Sequence, residues 1–563
     1  MRIYLIVFLT LNCMIINAQN TFQTTLGGAQ EEFGYTFQKT RDNGTIVAGR
    51  TFSFGTGGWE CYLARFNNNG DTVWTKTYGN TQYDELQDVD TTSDGGFIAV
   101  GHTTSTDFAA NVYLIKTDAN GVHQWSREYG NATGASDKGY SVTQTSDGGY
   151  IVAGSTASYG AGGDDIYVIK INSSGTILWT RVVGTASTIE TGRDIIQTTD
   201  GGYVVVGYTD GIGNGFYDIF LTKLSSTGTV LWKKTYGGGS YDIGYTVQQT
   251  SDGGLIIGAT TNSFGTNSWD AYLLKTDANG TLQWSKTYGK SGEDRAQCAS
   301  QTSDGGYILC GRSSSGGFGS FDIIAYKTDA TGNLQWTKNY GGAGDDQGWF
   351  IKEVNNNSYV LTGYTTSFGA GIKDLMLIKT DANGNSGCNE TSVSGFTTFT
   401  PSTVTGTGGT DVSGGNALTS ATAVRNTASL KTTMCSNAAC TINSNFSVST
   451  NTICQGNALN FTNQSSGATT YNWSVNGQST SSAFNFFYTF NVPGIYQIQL
   501  ISSAGACADT AFQNITVNAS TSSITNARAC VQYRWTANNQ TYTNSGTYTH
   551  TLLNSAGCDS LLT

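Results

Sequence analysis

The chain has 563 residues, far more than one small core requires, and only 12% of them are charged, with a formal net charge of -11. A phosphate backbone would meet mostly neutral or repulsive surface, which excludes nucleic acid as an expected partner. Apolar residues at 38%, with 30 Tyr, 25 Phe and 11 Trp, exclude a disordered chain, while 73 Gly against 2 Pro point to an all-β protein with many tight turns.

Residues 1–18 combine one Arg, a long apolar run and a small residue, Ala18, where a signal peptidase could cut. Export with cleavage is expected, and no membrane insertion afterwards, since no other segment approaches transmembrane length. Cys13 follows Asn12, a poor context for lipidation. Of the ten cysteines that remain, seven lie beyond residue 380, a spread that suits disulfides formed outside the cytoplasm.

Residues 19–387 repeat with a period of 51–54. "RDNG" at 41, "SDGG" at 93, 146, 251 and 303, "TDGG" at 199 and a worn "NNNS" at 355 mark seven copies, and Trp74, Trp125, Trp179, Trp232, Trp284 and Trp336 keep the same beat six times. Each copy holds four strand-like runs, such as "GYSVTQT", "YIVAGST", "DIYVIKI" and "TILWTRVV", which predicts a four-stranded propeller blade. The seventh copy lacks its fourth strand and its tryptophan. The segment from Asn20 supplies them, placing Phe22 on Trp284, Leu26 on Tyr288 and Gly27 on Gly289, so a seven-bladed β-propeller closed by the N-terminal strand is expected.

The hairpins of "TDANGTLQW" resemble the Asp-box of sialidase propellers and the tryptophan-docking repeat of quinone-dependent dehydrogenases. A motif present six times is architecture, however, whereas catalysis needs one asymmetric constellation. Two further rings recur: Glu60, Asn111, Asp165, Asp218, Asp270, Asp322 and Asp374 open the third strands, and Arg65, Lys116, Lys170, Lys223, Lys275, Lys327 and Lys379 follow five residues later. Five is odd, so the two rings point to opposite faces and pair with neighbouring strands rather than with each other. One carboxylate per blade does not supply the converging oxygens calcium needs, so no metal is expected.

Binding is sought where the blades differ. The end of the second strand carries Arg50, His102, Ser155, Tyr208, Thr260, Arg312 and Tyr364, and nearby loops carry Phe54, Phe108, Tyr159, Phe264, Phe318 and Phe368. From these, Arg50, His102, Tyr208, Arg312, Tyr364, Phe264, Phe318 and Phe368 are the candidate ligand-binding residues. With only three histidines there is little material for a zinc or Ser-His-Asp site, and no catalytic residue or cofactor is expected. Cys298 and Cys310 flank one hairpin, and pairing Thr302 with Tyr307 sets Cys298 opposite Gly311, so no bridge is expected there.

Residues 388–439 are rich in Ser, Thr and Gly and read as a connector, bracketed by Cys388 and Cys435, which are candidates to tie it down. Residues 440–519 alternate as strands around Trp473, the pattern of a β-sandwich, with Cys454 and Cys507 spaced to bridge it. With Trp473 and "YTFNVPGIYQIQL" this segment resembles the PKD type of Ig-like domain, although "SVNG" replaces the family's acidic turn. Residues 520–563 resemble a short Cys-bracketed β module of Bacteroidetes-type surface proteins, which implies a Cys530–Cys558 pair; the chain stops within an apparent strand. Similar proteins usually end in a type IX secretion sorting domain, and nothing here matches one. The expectation is a secreted or surface-displayed, non-enzymatic binding or adhesion protein that recognises carbohydrate or a surface protein. The alternatives are a glycosidase-like hydrolase or quinone-dependent enzyme using the central channel, and a purely structural surface component.

Overall fold

The computed structural model describes residues 20–563 except 56–57, 80–81, 105–108, 131–133, 161, 187, 267, 356, 407–409, 413–415, 419–422, 427–429, 438–442, 505–506 and 530; for the rest of 404–437, Met434 apart, and for 504, 507 and 508 it describes backbone alone. The 1–18 segment and Phe108 therefore lie outside the described residues. Two compact units appear, one ending at residue 438 and one beginning at 439.

The larger unit is a β-propeller-like repeat of four-stranded antiparallel sheets, seven in all among the described residues. The fifth is representative, with strands Asp242–Gln249, Leu255–Thr261, Asp270–Thr276 and Leu282–Gly289. Its two middle strands are buried at every residue, which is why they read as apolar runs rather than as alternation. The SDGG turn closes because Asp252 accepts from the Gly254 amide at 3.0 Å while Gly253 takes a φ of 81°. In the second turn Asp277 accepts from the amides of Asn279 and Thr281, and Gly280 takes φ 71°.

Successive sheets are joined at these second turns. Trp284 packs edge-on against Tyr307 of the next sheet and lies so close to Gly332 that a Cβ there would meet its ring at 2.9 Å. Tyr288 donates its hydroxyl proton to the Gly332 carbonyl at 2.7 Å. Tyr78, Tyr129, Tyr236 and Tyr340 make the same bond to Gly121, Gly175, Gly280 and Gly384. In the seventh sheet three strands, Asp346–Glu353, Tyr359–Thr365 and Asp374–Thr380, are followed by Thr21–Gly27, with Phe22 opposite Lys379 and Leu26 opposite Leu375. Phe22 lies against Gly70 of the first sheet, the place a tryptophan takes elsewhere, in a core shared with Phe37, Val47, Leu375 and Leu377.

The basic ring pairs with the first turns of its own sheets. Lys116, Lys170, Lys223, Lys275 and Lys327, all nearly inaccessible, reach Asp94, Asp147, Asp200, Asp252 and Asp304 at 2.8–3.1 Å. Lys379, whose sheet has the worn turn, binds Asn68 Oδ1 at 2.7 Å instead. The acidic ring staples the loop before its strand: Asp322 Oδ2 accepts from the amides of Phe318 and Gly319. Its other oxygen has no hydrogen-bond partner among the described residues and faces Asp346 across Gly341.

Cys298 and Cys310 differ from expectation. The first strand carries a bulge before Cys298, which shifts the register by one and sets Cys298 directly opposite Cys310. Both thiols are free and buried in one core.

The Ser/Thr/Gly-rich segment is a belt rather than a bare connector. Glu390–Ser392, Thr397–Phe399, Val404–Gly406, Thr410–Val412, Asn416–Leu418, Ala423–Asn426 and Leu430–Asn437 add a fifth, edge strand to the sixth, fifth, fourth, third, second, first and seventh sheets in that order. The belt begins and ends beside one residue. The buried Gln23 side chain binds Ser386 Oγ at 2.8 Å and the Cys388 carbonyl, while the Gln23 backbone pairs with Cys435. Cys388 is disulfide-bonded; the side chain of Cys435 lies outside the described residues.

In the smaller unit a three-stranded and a five-stranded sheet enclose one core around Trp473, which is fully buried and donates to the Ala483 carbonyl at 3.0 Å. The expected Cys454–Cys507 and Cys530–Cys558 pairs are both corrected by a Cys454–Cys558 disulfide. The strand Thr452–Cys454 runs beside Thr516–Asn518, so Cys454 sits at Asn518, and the Cys558 sulfur approaches the Asn518 carbonyl. Cys507 begins the strand that Asn518 ends. At about 3.4 Å per residue that separation is far beyond the roughly 7 Å limit for a disulfide.

Truncation of Phe22 to Ala should cost about 3–5 kcal/mol in urea unfolding followed by tryptophan fluorescence, because it empties the contact between the first and seventh sheets. Burial first, then the Asp346 charge, pushes the Asp322 carboxyl up to about 6. The folded chain thus holds this proton more tightly than the unfolded chain, and that stability is full below about pH 4 and lost as pH rises through about 6. Asp322→Asn, which copies Asn111 at the equivalent place in the second sheet, should stabilise by about 1–3 kcal/mol at about pH 8 and leave stability little changed at about pH 4, measured by urea unfolding at both pH values.

Candidate functional site

The first strand of every sheet slips register once, after Gly34, Leu86, Gly139, Gly192, Gly244, Ala296 and Gly348. Each slip leaves one bulged residue, and a bulge re-aims the side chain that follows the small residue. The seven are Tyr35, Gln87, Tyr140, Arg193, Tyr245, Gln297 and Trp349, and all line a single cavity of about 120 Å³. Residues far apart in the chain thus converge on one place from a repeating frame, bringing three tyrosines, two glutamines, one arginine and one tryptophan.

The bulged residues form a mixed surface. Tyr35 meets Trp349 edge-on at 5.3 Å. The Arg193 guanidinium lies over the Tyr140 ring at 4.5 Å and the Tyr208 ring at 5.6 Å. In the cavity wall, Asp88 and Asp194 from different sheets share Ser141, whose hydroxyl lies 3.2 Å from Asp88 and 2.8 Å from Asp194. Both carboxylates also accept backbone amides: Asp88 from Val89 and Val142, Asp194 from Ile195 and Val247. Burial first, with the Asp194 charge adding to it, pushes Asp88 up to about 7, and burial raises Asp194 as well.

The residues expected from blade-to-blade variation stand beside this ring. Arg50 stacks on Trp59 at 4.0 Å and Phe33 at 4.7 Å and pairs with Glu85 at 2.5 Å. His102 shares Glu85, its Nε2 3.3 Å away, and burial holds the imidazole below its usual range, so it is neutral near pH 7. Arg312 binds Glu293 at 2.5 Å and reaches Gln347, which also accepts the Tyr364 hydroxyl proton at 3.3 Å. Tyr208 starts a run of rings over the same face: Tyr217 at 4.9 Å, then Tyr241 at 5.4 Å, then Trp269 at 5.8 Å, with Arg295 over Trp269 at 4.1 Å. Phe216, 63% exposed, stacks on Tyr241.

The loop aromatics are placed elsewhere. Phe264 packs on Tyr272 and beside Gly238, and Phe368 lies beside Gly342, so both fill gaps between sheets; Phe318 is exposed and apart from the ring contacts. A second cavity, about 470 Å³, lies at the SDGG-turn end, but its polar groups are committed to one another: Ser303 to Glu353, and Gln301 to Gln248. Among the described residues no group of three or more His, Cys, Asp or Glu could hold a metal, and no helix is long and apolar enough to cross a membrane.

Reading variation along the second strand located the rim and missed the bulged ring. A signal for it was present: the third residue after Glu32, Asp84, Asp137, Glu190, Asp242, Asp294 and Asp346 also varies between copies, and Gly or another small residue precedes it in six of seven copies.

No family model matches the chain. Over 242 residues it is 26% identical to the regulatory protein FlaEY of Caulobacter vibrioides, a match covering 38% of this chain and 25% of that protein, so the chain spans about a quarter of the length of this curated relative. Among solved structures it is similar to a fungal alcohol oxidase of the AA5 family in complex with copper, at a TM-score of 0.39 and 14% identity, covering 89% of this chain and 99% of that one.

Asp88→Ala should destabilise more at about pH 5 than at about pH 8 in urea unfolding. Asp88 contributes most while its proton is retained, and that contribution falls as pH rises through about 7, so the difference between variant and wild type narrows.

Proposed function

We propose that the seven sheets are the blades of a propeller closed by the N-terminal strand, and that the chain is an exported, non-enzymatic binding protein whose loop-side face holds a glycan. Closure is supported by the belt: its strands visit sheets six to one and then seven, and only Asn426 to Leu430 separates the strand on the first sheet from the strand on the seventh. The Trp473-centred unit is read as the PKD-type Ig-like domain of a surface protein. Export accords with the leader-like residues 1–18 and with the Cys454–Cys558 bond.

One observation carries the binding reading: Tyr208, Tyr217, Tyr241 and Trp269 form a continuous aromatic run leading from the cavity onto the face, flanked by Arg295, Glu293 and Arg312. Aromatic faces stack on the apolar faces of sugar rings, and adjacent charged groups bond the hydroxyls. On a glycan array the protein should bind a restricted set of chains, and Tyr241→Ala and Trp269→Ala should each weaken binding by about tenfold without lowering the melting temperature. Unchanged binding by both variants sinks this placement.

A second reading rests on Asp88 and Asp194. Two carboxylates from different sheets, close enough to share one hydroxyl and one of them near 7, meet a requirement of a glycoside hydrolase. Against it, all four of their oxygens already accept backbone amides or Ser141, whereas a general acid needs an oxygen directed at substrate. Turnover of any glycoside that disappears in Asp194→Ala replaces the binding reading with this one.

A further inference from the structure

We infer that the central cavity is an anion subsite built around Arg193, and that the glycan held on this face is an acidic polysaccharide whose uronate carboxylate enters it. The inference rests on the glycan reading above and adds the charge of the ligand.

Charge bookkeeping around the cavity isolates Arg193. The neighbouring rim cations are all ion-paired: Arg50 with Glu85, Arg295 and Arg312 with a shared Glu293, Lys373 with Glu31. Arg193 forms no ion pair among the described residues, and its surroundings are the rings of Tyr140 and Tyr208. A guanidinium held against aromatic faces keeps its full charge and its planar set of donors. The two carboxylates of the same cavity wall, Asp88 and Asp194, do not pair with it, their oxygens being held by backbone amides and Ser141, so the guanidinium is set for an acceptor from outside.

The unsatisfied hydrogen-bond groups give the same answer independently. Of the residues lining the cavity, three have buried polar side-chain atoms without a partner: Arg193 Nε, Trp349 Nε1 and the Thr36 hydroxyl. Each can donate, and two can only donate. Leaving a buried donor unpaired is costly, so a ligand that brings acceptors gains what the free protein has forgone. A carboxylate brings two acceptor oxygens and the matching charge, and planar guanidinium-carboxylate geometry is bidentate.

The chain attached to that carboxylate is set by Tyr208, which touches both Arg193 and the aromatic run. A ligand with its anion on Arg193 continues onto Tyr217, Tyr241 and Trp269, a series of stacking platforms that suits a chain of sugar rings better than a peptide backbone, which would require lines of amide partners.

The test uses the full chain and three probes: oligogalacturonate, the same oligomer with its carboxyl groups reduced to neutral hydroxymethyl groups, and poly-glutamate, each titrated by calorimetry at low and high salt. Oligogalacturonate should bind about tenfold or more tightly than its reduced form, with the advantage shrinking in salt. Arg193→Gln should remove that advantage, bringing the charged and reduced oligomers to about equal affinity, while Trp349→Phe should reduce the acidic oligomer's affinity by a smaller factor. If Arg193→Gln fails to fold, as its melting curve would show, the wild-type comparison of charged and reduced oligomers still decides. Equal affinity for the charged and reduced oligomers overturns the anion subsite and leaves the glycan reading standing. Binding of poly-glutamate but not oligogalacturonate overturns the uronate in favour of an acidic peptide. Binding of no glycan, charged or neutral, removes the glycan reading and this inference with it.

Discussion

Every sheet of the larger unit has middle strands buried on both faces, and nothing but other sheets is available to cover them. The contact that meets this constraint is small and repeated: an aromatic ring of one sheet laid on the turn glycine of the next, with a tyrosine hydroxyl bonded to that glycine's carbonyl. Each partner fixes the other. The ring admits only glycine at the turn, since a Cβ would strike it, and the turn's left-handed backbone suits the same residue. The third and seventh sheets, which have Val183 and Leu26 where the other five have tyrosine, keep the ring contact through Trp179 on Gly228 and Phe22 on Gly70 and do without the hydroxyl bond. The ring contact is therefore the indispensable half.

Much of this was legible in the sequence, because the frame is local. The SDGG and Asn-Gly turns carry their own backbone chemistry, and the tryptophan beat marks the fourth strands. Phe22 could be read onto that beat because its neighbours Leu26 and Gly27 kept the spacing. What escaped the sequence depends on partners far along the chain. The belt strands are three or four residues long in most sheets and show no apolar alternation; their conformation comes from the sheet edges they cover, which sequence pattern does not reveal. The disulfide escaped for a similar reason: Cys454 and Cys558 meet because both lie beside Asn518, whereas spacing alone favoured Cys507. Cys298 was misplaced by one residue because a bulge changes register without changing composition.

The candidate site was half legible. Variation between copies points to the parts of a repeat that do not hold it together, and along the second strand it led to Arg50, His102, Tyr208, Arg312 and Tyr364, most of which turn out to be tied into ion pairs or ring stacks. The deeper ring of Tyr35, Arg193 and Trp349 obeys the same logic one strand earlier, but only the bulge turns those side chains into a common cavity. A repeating frame thus provides one free position per sheet at the same depth, and seven independent choices there compose a surface that no single copy contains. Symmetry supplies the placement, and departures from symmetry supply the chemistry.

The belt's last strand has a bearing on how the chain assembles. Residues 21–27 lie between 374–380 on one side and 430–437 on the other, both far later in the chain. During synthesis from the N-terminus this segment waits, unpartnered, until about 350 residues have followed it, and its second edge is covered only after about 400, so it is among the last strands to be completed. Contacts of such sequence separation are slow to form, and until they do both the opening strand and the seventh sheet offer bare edges to other chains. The fold therefore concentrates its kinetic hazard in one seven-residue stretch, and a folding helper that shields only that stretch would protect the whole.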